Sequence, residues 1–228
     1  IFLTSKVWVE HYGYEQTKAS VYESLRKLKT DYIDLMLLHQ PFGDYYGAWR
    51  ALEELYGEGK LRSIGISNFY PDRMVDLCSF SRIRPMVNQV ETHPHNQQTE
   101  AQKWMQKYGV QIEAWAPFGE GRGGLFTDGT IAKIAAKYER TVAQIILRWE
   151  LQRGIVVIPK SVHIERMIEN FNVFDFALSD EEMAIMATLD KKQSSFFSHT
   201  DPNMVEWFVQ MVEQRKSNHD HSKDKKKW

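Results

Sequence analysis

Residues 33–39 read Ile33-Asp34-Leu35-Met36-Leu37-Leu38-His39, an apolar run that ends in a side chain able to do chemistry. A short apolar run of this kind is typical of a buried β-strand. Five further runs end in the same way, and they cover residues 1–6, 64–68, 86–91, 111–115 and 156–160. The interval between successive runs is mostly near ~30 residues, the length of one strand and one helix. The pattern therefore predicts repeated βα units and a parallel sheet covered by helices.

The fold class that this repetition predicts is α/β, in the form of a (β/α)8 TIM barrel. A complete barrel has eight strands in about 250 residues, whereas this chain has 228 residues and six candidate strands. We therefore expect a barrel truncated at its N-terminus to about six βα units, with roughly 60–75 residues missing from the front. Strand C-termini converge on one face of a barrel, so we expect one pocket lined by Lys6, His39, Asn68, Gln89, Trp115 and Lys160.

The remaining elements follow from helical periodicity and capping signals. Helices are predicted over residues 19–28, 47–56, 70–77, 130–138, 142–152 and 164–171. Ser179 and Glu182 match an N-terminal capping box, and residues 194–212 are interpreted as a loop with a short terminal helix. We expect one domain over residues 1–212 and a charged, disordered tail over residues 213–228.

The bulk composition excludes several classes of function. Lys plus Arg number 29 against 30 acidic residues, so no net field favours nucleic acid or an anionic membrane as a partner. Cys78 is the only cysteine, which excludes an intrachain disulfide and is typical of a reducing compartment. No apolar run reaches the ~18–20 residues of a membrane span. We expect a cytoplasmic protein.

The strongest local signal lies in residues 157–170. Lys160 and Ser161 end a strand, and the helix that follows carries Arg166 in its first turn. Two cations, a hydroxyl and a helix N-terminus together suit an anion such as phosphate. The alternative is a solvated loop with ordinary surface charges, and the spacing alone leaves both interpretations open.

This segment also carries a family resemblance. Ile158-Pro159-Lys160-Ser161-Val162, followed by Glu165-Arg166 and Glu169-Asn170, resembles the cofactor signature of the aldo-keto reductase superfamily. Five more blocks resemble segments of the family in the same order, and they cover residues 2–8, 31–41, 65–69, 88–91 and 114–119. The short loop at 119–129 is most similar to bacterial members of the 2,5-diketogluconate reductase type.

The resemblance implies an NADPH-dependent enzyme that reduces aldehydes and ketones to alcohols by hydride transfer, with sugar-derived dicarbonyls as one substrate class. Lys6 would lower the pKa of the family's proton-donating Tyr, and His39 would orient and polarise the carbonyl. Without the resemblance, His39 would be read as a structural residue after an apolar strand. The family's catalytic Tyr and Asp lie ahead of the segment that matches Lys6, so neither is assigned here.

The resemblance also implies two sets of contacts with NADPH. Ser67, Asn68 and Gln89 would hold the nicotinamide carboxamide, which needs both donors and acceptors. Trp115, otherwise a core residue, would stack on the nicotinamide ring. The set expected at the adenosine 2′-phosphate and the adenine, which favours NADPH over NADH, comprises Lys160, Ser161, Val162, Arg166, Glu169 and Asn170.

The substrate pocket is less well defined by the sequence. Trp8 is expected to line it, with Phe196, Phe197 and Trp207 as weaker candidates that core packing would explain equally well. No metal site is expected, because His93-Pro94-His95 has no third ligand at metal spacing.

Two hypotheses remain open at this stage. In the first, the sequence is an incomplete record of an NADPH-dependent carbonyl reductase that acts on small molecules as a monomer. In the second, it is a truncated, non-catalytic relative that binds nucleotide or a protein partner through exposed barrel edges.

Overall fold

We describe the protein from a computed structural model, which covers residues 1–224; for residues 216–224 only the course of the backbone is described. Strands alternate with helices along the chain. The strands are β1 (Thr4–Val7), β2 (Leu35–Leu38), β3 (Ile64–Ser67), β4 (Val87–Glu91), β5 (Gln111–Trp115) and β6 (Val156–Val157). The helices are α1 (Tyr14–Leu28), α2 (Tyr45–Gly57), α3 (Pro71–Phe80), α4 (Thr99–Tyr108), α5 (Gly129–Lys137), α6 (Val142–Gln152), α7 (Ile164–Phe171), α8 (Asp180–Ala187) and α9 (Pro202–Asp224).

The chain forms two compact units. The first contains Ile1–Ile64 and the C-terminal segment that begins at Phe196, and the second contains Gly65–Ser195. In the first, β1 pairs with β2 in parallel, with Thr4 opposite Leu35 and Val7 opposite Leu38. In the second, the order is β3-β4-β5-β6 and each neighbouring pair is parallel. The single domain expected over residues 1–212 stays a prediction.

The α/β class and the six predicted βα units are confirmed. Every predicted apolar run overlaps one of the six strands, although β1 extends one residue beyond its run and β6 is limited to Val156–Val157. Strand β2 is buried along its whole length, as expected for a parallel strand covered on both sides. Helices α6 and α7 have the predicted bounds, and the capping box at Ser179 and Glu182 is present.

Helix α4 is the element that the sequence pattern did not predict. Its buried residues are the small Ala101, the polar Gln102 and Met105, so one of the three is a large apolar residue. Gln102 is buried because its side-chain amide donates to the backbone oxygen of Arg153 at 2.8 Å. Gly109 ends the helix in the left-handed region, with φ at 71°.

The C-terminal segment is more helical than expected. Helix α9 runs over Pro202–Asp224, whereas the sequence predicted a short helix and a disordered tail from residue 213. The polar residues after 212 continue a helix that Phe208, which is 4% exposed, anchors by burial. The last four residues of the predicted tail, 225–228, lie outside the described residues. None of the described helices, α9 included, combines the length and the apolar character that crossing a bilayer requires.

Candidate functional site

Lys6 and His39 lie at the carboxyl ends of the paired strands β1 and β2. Lys6 stands opposite Leu37 in the register. The backbone N–H of His39 donates to the oxygen of Val7 at 3.1 Å and so continues the ladder by one residue. The two residues predicted to be catalytic therefore share one end of the sheet in the first unit.

The environment of His39 keeps its imidazole neutral. Burial, the positive charge of Lys6 and the neighbouring His199 together lower the pKa of His39 to about 4. At neutral pH the ring therefore has one N–H donor and one acceptor nitrogen. Such a ring can donate a hydrogen bond to a carbonyl oxygen while carrying no positive charge.

The ring of Trp8 lies against His39. Their centroids are 4.8 Å apart with an interplanar angle of 78°, an edge-to-face contact. On α9, the ring of Phe208 lies 6.0 Å from that of Trp8, and the ring of Phe197 lies 5.8 Å from Phe208. Trp8 and Phe197, both predicted for the substrate pocket, thus belong to one aromatic cluster, and Phe208 is a member that the sequence did not predict.

The second unit brings together the four residues predicted for the nicotinamide end of the cofactor. The side-chain oxygen of Asn68 accepts from the indole N–H of Trp115 at 2.8 Å. The amide nitrogen of Asn68 donates to the hydroxyl oxygen of Ser67 at 3.2 Å, and that hydroxyl donates to the backbone oxygen of Gln89 at 2.8 Å. Their contact with a cofactor stays a prediction.

Glu113 is a member of this cluster that the sequence analysis missed. Its carboxylate, 7% exposed, accepts a short hydrogen bond from the side-chain amide of Gln89. Side chains two residues apart on a strand point to the same side, so Glu113 lies on the face of β5 that also carries Trp115. That alternation is the signal that could have identified it.

A cavity of about 490 Å³ adjoins the start of α7. This volume lies within the range of ligand pockets. The cavity is lined by all six residues predicted for the adenosine phosphate and the adenine: Lys160, Ser161, Val162, Arg166, Glu169 and Asn170. A local turn orders the loop, because the backbone N–H of His163 donates to the hydroxyl of Ser161 at 3.1 Å.

The rest of the cavity lining was not predicted. It contains Phe118, Phe126 and Ala143, together with His163. The rings of Phe118 and Phe126 lie 5.5 Å apart, and Phe126 remains 48% exposed. The lining therefore includes both apolar and cationic side chains, a combination that suits a flat base joined to a phosphate.

His93 takes part in a buried hydrogen-bond network. Its Nε2 lies 2.8 Å from the Glu91 carboxylate, and both side chains are buried. Within the described residues, no group of three His, Cys, Asp or Glu side chains has the arrangement of a metal site.

Comparison with known proteins identifies the family. The family model described as the aldo/keto reductase family matches residues 1–191. The glyoxal reductase of Bacillus subtilis (strain 168) is 47% identical over 194 residues, which are 85% of this chain and 70% of that protein. An aldo-keto reductase from a Medee basin deep-sea metagenome library has a TM-score of 0.86 and 41% identity, over 88% of this chain and 75% of that one.

A second solved structure bears on the cofactor. The Bombyx mori aldo-keto reductase solved in complex with NADP has a TM-score of 0.82 and 35% identity, over 86% of this chain and 70% of that one. The predicted resemblance, including that to 2,5-diketogluconate reductase-type members, is confirmed by matches of this kind. The chain belongs to the aldo/keto reductase family.

Proposed function

We propose that this protein reduces small aldehydes and ketones to alcohols with NADPH. The observation that carries the proposal is the cavity beside α7, where the six residues predicted for the adenosine end of the cofactor share one lining. Such a concentration of predicted residues in one cavity is not expected of a solvated loop with ordinary surface charges.

The donor set of the cavity fits a phosphate. Lys160 and Arg166 supply two cations, Ser161 supplies a hydroxyl, and the eight-residue helix α7 begins at Ile164 beside them. Oriented N–H groups at a helix N-terminus and charge-assisted donors both favour an anion. A 2′-phosphate distinguishes NADPH from NADH, so these residues favour NADPH.

Groups in the second unit suit the other end of the cofactor. The amides of Asn68 and Gln89 offer donors and acceptors that can pair with a carboxamide. Trp115, whose indole N–H is held by Asn68 at 2.8 Å, offers a ring face of fixed orientation for stacking. In this proposal, these residues fix which face of the nicotinamide meets the substrate.

NADPH, when bound, supplies the hydride that reduces the carbonyl. His39, neutral because its pKa lies at about 4, donates a hydrogen bond to the carbonyl oxygen and polarises it. The proton that completes the alcohol would come from the family's catalytic Tyr, and the positive charge of Lys6 would lower the pKa of that Tyr. The family's catalytic Tyr and Asp have no match among these 228 residues, so binding and turnover are tested separately.

We infer small dicarbonyl compounds as the substrate class. The supporting relative is the 47% identical glyoxal reductase. Trp8, which lies in edge contact with the imidazole, would border a carbonyl compound held by His39.

Calorimetric titration with NADPH and with NADH tests the cofactor assignment. Arg166→Ala should weaken NADPH binding about tenfold or more and leave NADH unchanged, since a hydrogen bond to a charged group is worth about 1.5–3 kcal/mol. Lys133→Ala, an exposed change on α5, is the matched control. An equal loss for both nucleotides, or no loss at all, would contradict the role of Arg166.

Turnover is measured by the loss of NADPH absorbance with methylglyoxal. Lys6→Met should abolish it, and unchanged turnover would remove the role given to Lys6. NADPH binding without turnover in the parent chain would favour the non-catalytic relative over the reductase.

A further inference from the structure

Helix α9 buries a single aromatic residue between two exposed neighbours. Phe208 is 4% exposed, whereas Trp207 and Val209 are each 51% exposed. The ring of Phe208 lies 5.1 Å from Phe42 and 6.0 Å from Trp8. Phe208 is therefore the contact by which this part of α9 packs in the first unit.

Trp8 links α9 to His39. One contact of its ring is the edge of the His39 imidazole at 4.8 Å. The others come from α9, namely Phe208 and the Arg215 guanidinium, 5.4 Å from the ring centroid. The indole nitrogen is buried and has no hydrogen-bond partner within the described residues, so ring packing orients this side chain.

We infer that Phe208 is a positioning residue for His39: by packing on Trp8, it holds the indole against the imidazole and keeps water away from it. The catalytic consequence of this inference rests on the proposed function, in which the neutral imidazole of His39 donates a hydrogen bond to the substrate carbonyl. The family model ends at residue 191, so α9 lies beyond the residues that this model matches.

The charged and titratable groups near His39 limit how far its pKa can change. Lys6 reaches it from β1 and His199 from the segment before α9, while Arg215 lies over Trp8 from α9 itself. Burial is the largest cause of the lowered pKa of His39, and Lys6 is the next. Removal of the Phe208 ring admits water and leaves Lys6 in place, so the pKa should recover only in part.

Two NMR measurements on the full chain test the inference. The first is the titration of the His39 ring protons, and the second is the hydrogen exchange of the Trp8 indole N–H, assigned with Trp8→Phe. In Phe208→Ala we expect the pKa of His39 to rise by about one unit or more toward the ordinary value near 6.5. The indole exchange should become about tenfold faster or more, because the opened state gains population.

Val209→Ala is the control on the neighbouring position, because it removes apolar atoms from the exposed side of the same turn. It should leave both measurements unchanged. Phe208→Leu keeps most of the apolar volume and should give values between those of the parent and Phe208→Ala. This graded series would not be expected if Phe208 only stabilised α9.

Unchanged titration of His39 in a folded Phe208→Ala chain would overturn the inference. If that variant does not fold, unchanged titration in Phe208→Leu would overturn it instead. Neither measurement uses the nucleotide cavity. Failure of NADPH binding would therefore count against the proposed function alone, and failure of the titration would count against the inference alone.

Discussion

The indole N–H of Trp115 donates to the side-chain oxygen of Asn68 at 2.8 Å and ties the end of β5 to the end of β3. Asn68 has a positive φ of 65°, a conformation that Asn tolerates better than most residues. Its amide is held at both ends, because its nitrogen donates to Ser67 at 3.2 Å. The orientation of this amide is thus fixed before any ligand binds, which is the property that a carboxamide-binding group needs.

Trp115→Phe tests this tie. The variant keeps an aromatic ring but removes the N–H that donates to the side-chain oxygen of Asn68. We expect the free energy of unfolding to fall by about 1 kcal/mol, the usual net contribution of one hydrogen bond. Urea unfolding measures it, with Trp104→Phe on α4 as the matched substitution. Equal effects of the two changes would mean that the loss comes from ring size and not from the hydrogen bond.

A second prediction concerns the buried carboxyl of Glu150 on α6. It is 0% exposed, and neither of its oxygens has a hydrogen-bond partner within the described residues. Burial raises the pKa of Glu150 well above its ordinary value, and the charge of Arg153 offsets this only in part. Below about pH 4.5, Glu150 is protonated in both the folded and the unfolded chain. Above that pH, Glu150 ionises in the unfolded chain and stays protonated in the folded chain until its raised pKa is reached. Glu150 therefore destabilises the fold increasingly as the pH rises from about 4.5 toward the folded pKa.

Glu150→Gln should accordingly stabilise the protein at pH 7 and change little at pH 4. The expected gain is about 1.4 kcal/mol for each unit by which the pKa is raised. Urea unfolding at the two pH values measures it, with the exposed Glu100→Gln as control. A gain of the same size at both pH values would show that the cause is packing and not ionisation.

A third prediction follows from the end of α1. Lys29 caps this helix with φ at 54° and ψ at 46°, in the left-handed region, which costs a residue with a Cβ roughly 1–2 kcal/mol. Lys29→Gly should therefore raise the free energy of unfolding by about 1 kcal/mol. Lys27→Gly, two residues earlier within the helix, should lower it by about 1 kcal/mol. Thermal melts of both variants measure these changes. A lower melting temperature in both variants would contradict the claim that the backbone of Lys29 is strained.

The parts of the site that could be predicted are those determined by residues close together along the sequence. An apolar run followed by one polar residue located the ends of β1 and β2 to within one residue, and so identified Lys6 and His39 as neighbours on adjacent strands. The order of Lys160, Ser161 and Arg166 around a helix start likewise predicted that these side chains lie together, and they line one cavity; a phosphate at this cavity stays a prediction.

The parts that could not be predicted depend on contacts between distant residues. Phe126 lines the cavity because a loop more than thirty residues before Lys160 folds back onto it. Phe208 is buried by Phe42 and Trp8, and nothing in its neighbours along α9 distinguishes it from Trp207. Helix α4 was missed because tertiary hydrogen bonding makes Gln102 a core residue.

The carboxylate of Glu91, at the end of β4, anchors the segment that follows α8. It accepts from His93 Nε2 and from the backbone N–H of Ser195, each at 2.8 Å, and from the hydroxyl of Ser194 at 2.5 Å. Burial by itself would raise the pKa of Glu91, but these donors outweigh it and hold the pKa below the ordinary value. Its stabilising contribution is therefore present above the unfolded pKa near 4.5 and is lost as the pH falls.

Glu91→Gln should lower the free energy of unfolding by about 2–3 kcal/mol at pH 7, because hydrogen bonds to a charged group are the strong ones. The new amide also places a donor against groups that already donate. The difference from the parent chain should shrink as the pH falls below about 4.5, because the unfolded parent chain then takes up a proton on Glu91 before the folded chain does. Trypsin cleavage after Lys191 and Lys192 provides a local readout, since a released segment should be cut faster in Glu91→Gln and not in Glu100→Gln. Equal cleavage of the two variants would mean that Glu91 does not hold this segment.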